Sequence, residues 1–385
     1  MTRKALRDLV TFRSGGTPSK RVARYWGRAI PWATVKDFTS TTLSETRDSI
    51  SAEGLEHSSA KLIPKGHVII PTRMSVGKAA INTVDLAINQ DLRALIPKVT
   101  LDARFLLYAI LSLKDEIVAK AAGATVKGIT QDELYNLEID LPPLEDQVRI
   151  AGVLGRTEAL IAQRQQQLRE LDDLLRSVFL DLFGDPVRNE RGWETESLGE
   201  LATIERGRFS PRPRNDPRFY GGAHPFIQTG AITRSGGRLR EYGQTLNERG
   251  ARVSKAFPAG TIVMAIVGAT IGETAILEIP AYAPDSVVGI TPKRGDAAVE
   301  AVFVEYVLRF WKPILRVRAP EAARANVNIE TLRPLAIPQP PDKARFAELA
   351  KKVASLECAY QHSLVGLESL YATLSHAAFR SAARP

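Results

Sequence analysis

Two stretches of the chain place several basic side chains among glycine and proline residues. They are, in the first stretch, Arg13, Lys20, Arg21, Arg24 and Arg28, and, in the second, Arg206, Arg208, Arg212, Arg214 and Arg218. Arg and Lys on loops make good contacts to phosphate, and an Arg side chain can read guanine with two hydrogen bonds. A single such residue is more simply a solvated charge. Two clusters of them at corresponding places favour contact with a nucleic acid.

The composition agrees with a polyanion partner. The chain has 385 residues, a formal net charge of +9 and 44% hydrophobic residues, which indicates two or three globular domains with a basic surface. Cys358 is the single cysteine, so neither a disulfide within the chain nor a Cys-based zinc site is expected. No stretch reads as a membrane span, and we expect a cytoplasmic protein.

The sequence contains no convincing catalytic motif. Residues 123–130 have the glycine spacing of a phosphate-binding loop, but Ile129 stands where the loop's lysine must reach the phosphates. The histidines show no metal-binding spacing, and no pair of carboxylates stands out as an acid and a base. We therefore predict no catalytic residue and no metal site, although an enzyme remains a rival interpretation.

The chain contains an internal repeat. The segment Leu6–Gly15 matches Leu198–Gly207, Ile63–Ile70 matches Phe257–Met264, and Pro142-Pro143 matches Pro340-Pro341. The order of the matches never breaks, and their separation grows slowly, as loop insertions would produce. Each repeat mixes short β-branched runs with helical stretches, which predicts an α/β or α+β head.

A long helix is predicted after each proline pair. Apolar residues there recur every 3.5 residues, as in a coiled coil. The first seam is Leu154, Ile161, Leu168, Leu171, Leu175, Val178 and Leu182, with Thr157 and Arg164 as weak members; the second is Phe346, Leu349, Val353, Leu356, Tyr360, Ser363, Leu367, Leu370, Leu374 and Ala377. The natural partner of each helix is the other, in an antiparallel pair. The alternative is that each helix packs on its own head.

Four motifs resemble the DNA specificity subunits of type I restriction-modification systems. They are Ser14–Ser19 (Ser-Gly-Gly-Thr-Pro-Ser), Tyr25–Trp32, the Pro-Pro-Leu-Glu-Asp-Gln segment within Leu141–Ala151, and Leu182–Pro186 leading into Gly192-Trp193. The second repeat departs from the pattern, because Pro340-Pro-Asp-Lys-Ala-Arg345 lacks the Glu-Asp-Gln triplet. Two partner-docking sites built on that triplet would be unequal.

The resemblance implies a fold and a domain order. We expect two pseudo-symmetric globular target-recognition domains of α/β (α+β) class, separated by two long antiparallel coiled-coil helices. The predicted segments are 1–143 and 185–340 for the target-recognition domains, 144–184 for the central helix and 341–380 for the C-terminal helix.

The resemblance also implies partners. Each head would read one half of a split site in double-stranded DNA. The chain would bind two methylation subunits and restriction subunits, which would carry S-adenosylmethionine, ATP and Mg, whereas the chain itself would bind no cofactor. The rival interpretations are a specificity module of a related restriction or phage-defence system and a non-specific DNA-binding coiled-coil adaptor.

The predicted site residues are Arg, Lys, Gln and Thr side chains on loops in corresponding parts of the two heads. Those predicted to contact DNA are Thr17, Lys20, Arg21, Lys36, Arg73, Lys78, Arg208, Arg212, Arg214, Gln228, Thr229, Arg234 and Arg238. Gln228 and Thr229 follow a proline–aromatic step and could read adenine or a thymine methyl group. The residues predicted to dock a partner are Glu145, Asp146, Gln147 and Arg149.

Overall fold

A computed structural model describes residues 2–123, 128–318 and 326–379, without the side chains of Thr2, Arg28 and Arg318. The glycine-spaced segment 123–130 therefore lies partly outside the described residues, as does the side chain of Arg28. The chain divides into two compact units. Unit 1 comprises Met1–Gln165 and His362–Pro385, and unit 2 comprises Gln166–Gln361.

The strands of the first repeat lie in unit 1. They are β1 (Thr2–Ala5), β2 (Val10–Ser14), β3 (Trp26–Ala33), β4 (Thr42–Leu43), β5 (Asp48–Ile50), β6 (Lys61–Ile63), β7 (Val68–Pro71), β8 (Ala80–Asn82), β9 (Leu86–Ile88), β10 (Leu92–Pro97) and β11 (Glu138–Leu141). One sheet has the order β2-β10-β7-β8-β4, a second has the order β5-β3-β9-β6, and β1 pairs with β11.

The second repeat gives the corresponding strands of unit 2. They are β12 (Thr195–Ser197), β13 (Ala202–Arg206), β14 (Tyr220–Phe226), β15 (Arg238–Leu239), β16 (Gln244–Leu246), β17 (Lys255–Phe257), β18 (Ile262–Ala265), β19 (Thr274–Leu277), β20 (Ala281–Ala283), β21 (Val287–Pro292) and β22 (Ala336–Pro338). Their sheet orders are β13-β21-β18-β19-β15, β16-β14-β20-β17 and β12-β22. The order is that of unit 1, strand for strand. Even the parallel pairs recur, since β3–β9 and β4–β8 correspond to β14–β20 and β15–β19.

The helices complete each repeat. They are α1 (Leu6–Leu9), α2 (Ala52–Glu56), α3 (Ala103–Ser112), α4 (Lys114–Lys120), α5 (Gln131–Tyr135), α6 (Leu144–Phe183), α7 (Leu198–Leu201), α8 (Thr229–Arg234), α9 (Glu248–Arg252), α10 (Ala297–Arg318), α11 (Ile329–Leu332) and α12 (Lys343–Phe379). The long helix α6 ends where Gly184 adopts φ of +73°, a left-handed conformation that glycine tolerates best. We call the parts of units 1 and 2 outside α6 and α12 head one and head two.

One buried strand in each head separates two layers of the core. In β7, Val68 and Ile70 pack in the cluster that includes α3, whereas Ile69 packs in a second cluster with β9. In β18, Ile262 and Val263 divide in the same way. Because successive side chains of a strand point to opposite faces, an uninterrupted apolar run is required where both faces are covered.

Each unit contains one end of each long helix. In unit 1, Ala151 and Leu154 of α6 share an apolar cluster with Leu374 of α12. In unit 2, Phe179 of α6 lies 5.1 Å from Phe346 of α12, measured between ring centroids. The start of one helix therefore lies beside the end of the other in both units, which confirms the predicted antiparallel helices. The helix ends also join the head cores, so the alternative packing contributes as well.

The predicted seam is wrong at three of its ten α12 positions, Leu356, Leu370 and Ala377, which are exposed. The exposed fractions of Leu356 and Leu370 are 48% and 47%. At these three places the half-buried side chains lie one residue later, at Glu357, Tyr371 and Ala378. The repeat of 3.5 residues is retained. At these positions, however, the face of α12 that contacts the heads lies one residue later than predicted. The seam of α6 likewise omits Phe179, which is completely buried in the core of unit 2.

The described α-helices of the two heads differ at two places. Helix α8 of head two stands where head one has only the 3-10 turn Val35–Asp37. Unit 1 interrupts its head helix at Leu113, between α3 and α4, whereas α10 continues through Pro313.

No helix of the described residues has the length and apolar composition needed to cross a bilayer.

Candidate nucleic-acid interface

A short loop joins the two larger sheets of each head. In head one it is residues 89–91, between β9 and β10, and in head two it is residues 284–286, between β20 and β21. We call these the junction loops. Because each leaves one sheet and enters the other, its position is fixed from both sides.

A glycine follows β2 in head one and β13 in head two. In head one it lies against Ile88, the residue before the junction loop, and in head two against Pro284, the first residue of that loop. A Cβ atom on Gly15 would lie 1.9 Å from the carbonyl oxygen of Ile88, and one on Gly207 would lie 2.2 Å from that of Pro284. Only glycine permits this approach. The matched glycines thus bring the basic loops of the sequence next to the junction loops.

In head one, two predicted site residues, Thr17 and Arg73, contact the junction loop. The Thr17 hydroxyl donates a hydrogen bond to the side chain of Gln90. The guanidinium of Arg73 lies 3.9 Å from the carboxylate of Asp91. Asp91 is itself held, because its backbone NH donates to the side chain of Asn89 at 3.1 Å.

Lys36 lies on a short turn after β3, and Lys78 binds the residue that follows this turn. Lys36 is exposed on a short 3-10 turn that Thr34 and Asp37 cap reciprocally. The ammonium of Lys78 donates to the carbonyl oxygen of Phe38, immediately after that turn, at 2.8 Å. Lys20 and Arg21 are exposed on the loop after β2.

Asp285 organises the basic loop of head two. The guanidinium of Arg214 lies 2.6 Å from its carboxylate, and that of Arg212 lies 3.8 Å away. Arg206 donates to the Asp285 carbonyl oxygen at 2.6 Å. Arg208 uses its backbone NH to bind Ala283 at 2.9 Å and leaves its side chain exposed.

A pocket of about 700 Å³ lies beside this loop in head two. Three predicted site residues, Arg214, Gln228 and Thr229, line it together with Gln244 and Tyr220. The amide of Gln228 donates to that of Gln244 at 2.7 Å, and the Tyr220 hydroxyl donates to the Arg214 carbonyl oxygen at 2.5 Å. Burial raises the pKa of Tyr220, so the hydroxyl stays protonated and remains a donor.

Arg234 and Arg238 are not brought to this pocket by any contact in the described residues. Arg234 is exposed at the end of α8. Arg238 lies 3.6 Å from Glu278, a carboxylate that also binds Arg240. Much of the Arg238 charge is therefore balanced within head two.

The four predicted docking residues separate into two kinds. Glu145 and Arg149 are exposed at the start of α6, and Arg149 pairs with Asp146 at 2.8 Å. Gln147 is only 2% exposed. Its carbonyl oxygen accepts from the backbone NH of Asp102 at 3.0 Å, and its NH2 group donates to Pro142 at 2.9 Å. Gln147 thus fastens α6 to the start of α3.

Sequence reasoning missed the acceptors that bind Thr17, Gln228 and the basic side chains of Arg212 and Arg214. Gln90, Asp285 and Gln244 carry no positive charge and were not selected. Gln90 and Asp285 each stand second after the end of a matched strand, Ile88 in head one and Ala283 in head two. Aligning the strand ends of the two repeats places Gln90 and Asp285 at corresponding positions, but it does not show which side chains they bind. Within the described ranges, no group of three or more His, Cys, Asp or Glu side chains is arranged to hold a metal ion.

Known proteins resemble the chain over both repeats. The family described as the type I restriction modification DNA specificity domain matches residues 1–171 and 190–353. The chain is 28% identical over 245 residues to the type I restriction enzyme MjaIX specificity subunit of Methanocaldococcus jannaschii, covering 58% of this chain and 56% of that protein. It is 32% identical over 190 residues to the EcoR124I/EcoR124II specificity subunit of Escherichia coli, covering 45% and 47%. The aligned region spans about half the length of these relatives.

Two solved structures share the fold. The type I restriction-modification S subunit from M. genitalium has a TM-score of 0.62 at 16% identity, covering 98% of this chain and 96% of that one. A chain solved in a study of complex assembly and conformational transition of the type I R-M system has a TM-score of 0.54 at 17% identity, covering 98% and 97%. The two-unit fold class predicted from the sequence is confirmed. Because the family matches the chain twice, once on each repeat, this chain belongs to the family of type I restriction modification DNA specificity domains.

Proposed function

We propose that this chain is the DNA sequence-specificity subunit of a type I restriction-modification complex, in which each head reads one half of a bipartite site. One observation carries the proposal. Both heads repeat the same strand order, yet different side chains meet at the two junction loops. Thr17 binds Gln90 of the loop in head one, and Arg214 binds Asp285 of the loop in head two. Equal scaffolds with unequal contact residues suit a protein that reads two different half-sites.

The exposed cations suit the phosphate backbone. Lys20, Arg21 and Lys36 in head one and Arg208 and Arg234 in head two are exposed. Such residues would hold each head on the duplex without reading sequence. The base edges would be read by the neutral polar groups nearby, among them Gln228 and Thr229.

The long helices supply the spacer in this proposal. Helices α6 and α12 run through both units, so the distance between two half-sites would follow from helix length rather than from a flexible linker. The exposed first turn of α6, with Glu145, Asp146 and Arg149, would dock a methylation subunit.

Catalysis is assigned in this proposal to partner subunits. Two methylation subunits would carry S-adenosylmethionine, and restriction subunits would use ATP and Mg. The chain itself would select the site and bind no cofactor. The similar proteins are specificity subunits of type I restriction enzymes by name, which supports this division of work.

Adenine methylation mapped across a host genome tests the proposal. Cells that hold the candidate methylation subunit are compared with and without this gene. A split motif that appears only with the gene is the expected result. Exchanging head two for that of a relative must change one half of the motif and leave the other half. The absence of any gene-dependent motif contradicts the proposal, and flat, salt-dependent binding to any duplex favours the non-specific adaptor.

A further inference from the structure

The turn between β7 and β8 of head one exposes an apolar side chain in a costly conformation. Met74 has φ of +60°, a backbone conformation that is common for glycine, is found at some Asn and Asp residues and is rare for other residues. Its side chain is 59% exposed, whereas the other exposed aliphatic side chains described in head one lie between 36% and 38%. Exposure and backbone strain together suggest a functional reason for this residue.

The surrounding structure holds the turn in place on both sides. The backbone NH of Thr72 donates to Asp91 at 2.8 Å, which ties the turn to the junction loop. On the other side, Gly77 has φ of +90° and packs against α4, where an added Cβ would lie 3.0 Å from Lys114. Met74 is thus presented on a fixed base rather than on a loose loop.

Two exposed cations flank Met74. Arg73 precedes it, with 67% of its side chain exposed, and pairs loosely with Asp91 at 3.9 Å. Lys78 follows, with its ammonium on the Phe38 carbonyl oxygen. Apolar side chains flanked by basic residues are used by several DNA-binding proteins to enter a base step.

Head two provides an internal control at the same turn. Gly268 stands where Met74 stands and has the same φ of +60°. Val267 replaces Arg73, and Glu273 replaces Lys78. Both turns begin with the same positive φ, but the head-two turn continues as a 3-10 helix over Gly268–Thr270 and has neither the apolar tip nor the two cations. Arg316 also ties this turn to α10 through the Ala269 carbonyl oxygen at 3.0 Å.

We propose that Met74 is an apolar wedge, which head one presses against or into a base step of its half-site while Arg73 and Lys78 hold the adjacent phosphates. The proposal rests on the proposed function, because it assigns one specificity-determining contact to the head-one half of the DNA site. It also predicts an asymmetric complex. The DNA step at head one is unstacked, and the corresponding step at head two is not.

The test uses the full chain in complex with its methylation subunits, and a duplex that carries the mapped site. The fluorescent base 2-aminopurine replaces adenine at successive positions of each half-site. Apart from the rise that flipping of the methylated adenine would cause in both halves, the fluorescence of the wild-type complex rises on binding at one step of the head-one half only. Met74→Gly abolishes that rise and weakens binding about tenfold. Met74→Leu preserves both, because it keeps an apolar tip of similar size.

Thermal unfolding of the free chain separates this role from a structural one. Glycine accepts φ of +60°, so the unfolding midpoint of Met74→Gly is unchanged or higher than that of the wild type. The matched control, Gly268→Met, lowers the midpoint and does not tighten DNA binding. Unchanged binding by Met74→Gly in a complex that still reads its split site overturns the wedge alone. A wild-type complex that reads no site overturns the proposed function and the wedge with it.

Discussion

The two units fasten the first turn of their long helix to the head by different chemistry. In unit 1 the neutral amide of Gln147 joins α6 to the backbone of Asp102. In unit 2 the ammonium of Lys343 joins α12 to Glu300 of α10, at 2.9 and 3.0 Å, and to Gln339 at 2.6 Å. The Lys343 side chain is 9% exposed and that of Glu300 is 19% exposed, so a charged pair replaces an amide in a largely buried place.

This difference bears on the loss of Gln147, one member of the Glu-Asp-Gln triplet, from the second repeat. The sequence suggested that its loss makes two partner-docking sites unequal. The structure gives Gln147 an internal role that Lys343 takes over with another partner. The repeat has therefore kept the connection between the helix and the head while changing the side chains that make it. The docking of a partner by the outer residues Glu145 and Asp146 stays a prediction.

The largest expected effect concerns the aromatic core of unit 2. Phe179 is completely buried and contacts Phe303, Tyr306, Phe310 and Phe346 with ring centroids 5.0–5.7 Å apart. Phe179→Ala should cost about 3–5 kcal/mol of the free energy of unfolding of unit 2. The unit 1 counterpart, Phe379→Ala, should cost less, since Phe379 is half-buried. Urea unfolding followed by hydrogen exchange in each unit measures both, and equal losses would contradict the comparison.

Removing Glu300 should have the next largest effect. Glu300→Ala leaves the Lys343 ammonium largely buried without a carboxylate, next to Gln339 and the ring of Phe303, and we expect a loss of about 3 kcal/mol in unit 2. Gln147→Ala should cost unit 1 about 1–2 kcal/mol, because a neutral donor loses its acceptor. The double variant Glu300→Leu with Lys343→Met serves as the control. It should recover most of the loss, and a double variant as unstable as Glu300→Ala would argue against an unpaired charge as the cause.

Glu158 of α6 and Glu357 of α12 stand at corresponding positions of the two long helices. Replacing each carboxylate by a neutral amide should change the free energy of unfolding in opposite directions. Glu158 accepts hydrogen bonds from Tyr108 and Thr41, both at 2.8 Å. Burial, and then the bond to Glu158, raises the pKa of Tyr108, which keeps that donor protonated. Glu158→Gln offers a single acceptor to two hydroxyl donors and should cost unit 1 about 1–2 kcal/mol.

Glu357 should behave in the other way. Burial raises the pKa of its carboxyl above the usual 4.5, although Arg309 opposes the shift. A raised carboxyl pKa means that the folded state binds more protons than the unfolded state, so the stability of unit 2 falls as the pH rises from about 4.5 through the folded-state pKa. Glu357→Gln should flatten this dependence and stabilise unit 2 at neutral pH. Thermal midpoints across the pH range check the sign, and a destabilised Glu357→Gln would refute it.

The smallest effects concern single phosphate contacts. Arg21→Ala in head one and Arg234→Ala in head two should each lower the slope of log binding constant against log salt by about 1. Arg3, which pairs with Glu138 on the β1–β11 ribbon at 2.8 Å, provides the control, and its replacement by Ala should leave the slope unchanged. A salt titration of DNA binding measures all three. A slope that changes for one head only would show that the heads hold the phosphate backbone unequally.

The repeat and the long helices could be predicted because they depend on local patterns. Alternating and 3.5-residue periodicities, proline pairs and matched glycines are visible in the sequence without any knowledge of distant contacts. The phase of the α12 seam could not be predicted. Leu356 and Leu370 satisfy the heptad pattern, but the helix turns its Glu357 and Tyr371 edge toward head residues that are remote in the chain.

The candidate site was predictable only in part for the same reason. Loop position and charge selected Arg73, Arg212 and Arg214, which the structure brings to the junction loops. The partners that orient them, Asp91 and Asp285, become apparent only once the two sheets meet. The sequence predicts Gln147 as a partner-docking residue, because nothing in its local sequence reveals that the backbone NH of Asp102 needs an acceptor.

Unit 1 is built from the two distant ends of the chain, and this affects how the protein folds during synthesis. The ring centroid of Phe105 lies 5.4 Å from that of Phe379, and Tyr108 lies 6.4 Å from Tyr371. Unit 2 has all of its residues once Gln361 has been translated, whereas unit 1 also needs those from His362 onward. The first head to leave the ribosome is therefore the last to be completed. It must wait with its apolar helix-binding surface uncovered, and chaperone binding to nascent chains should concentrate there.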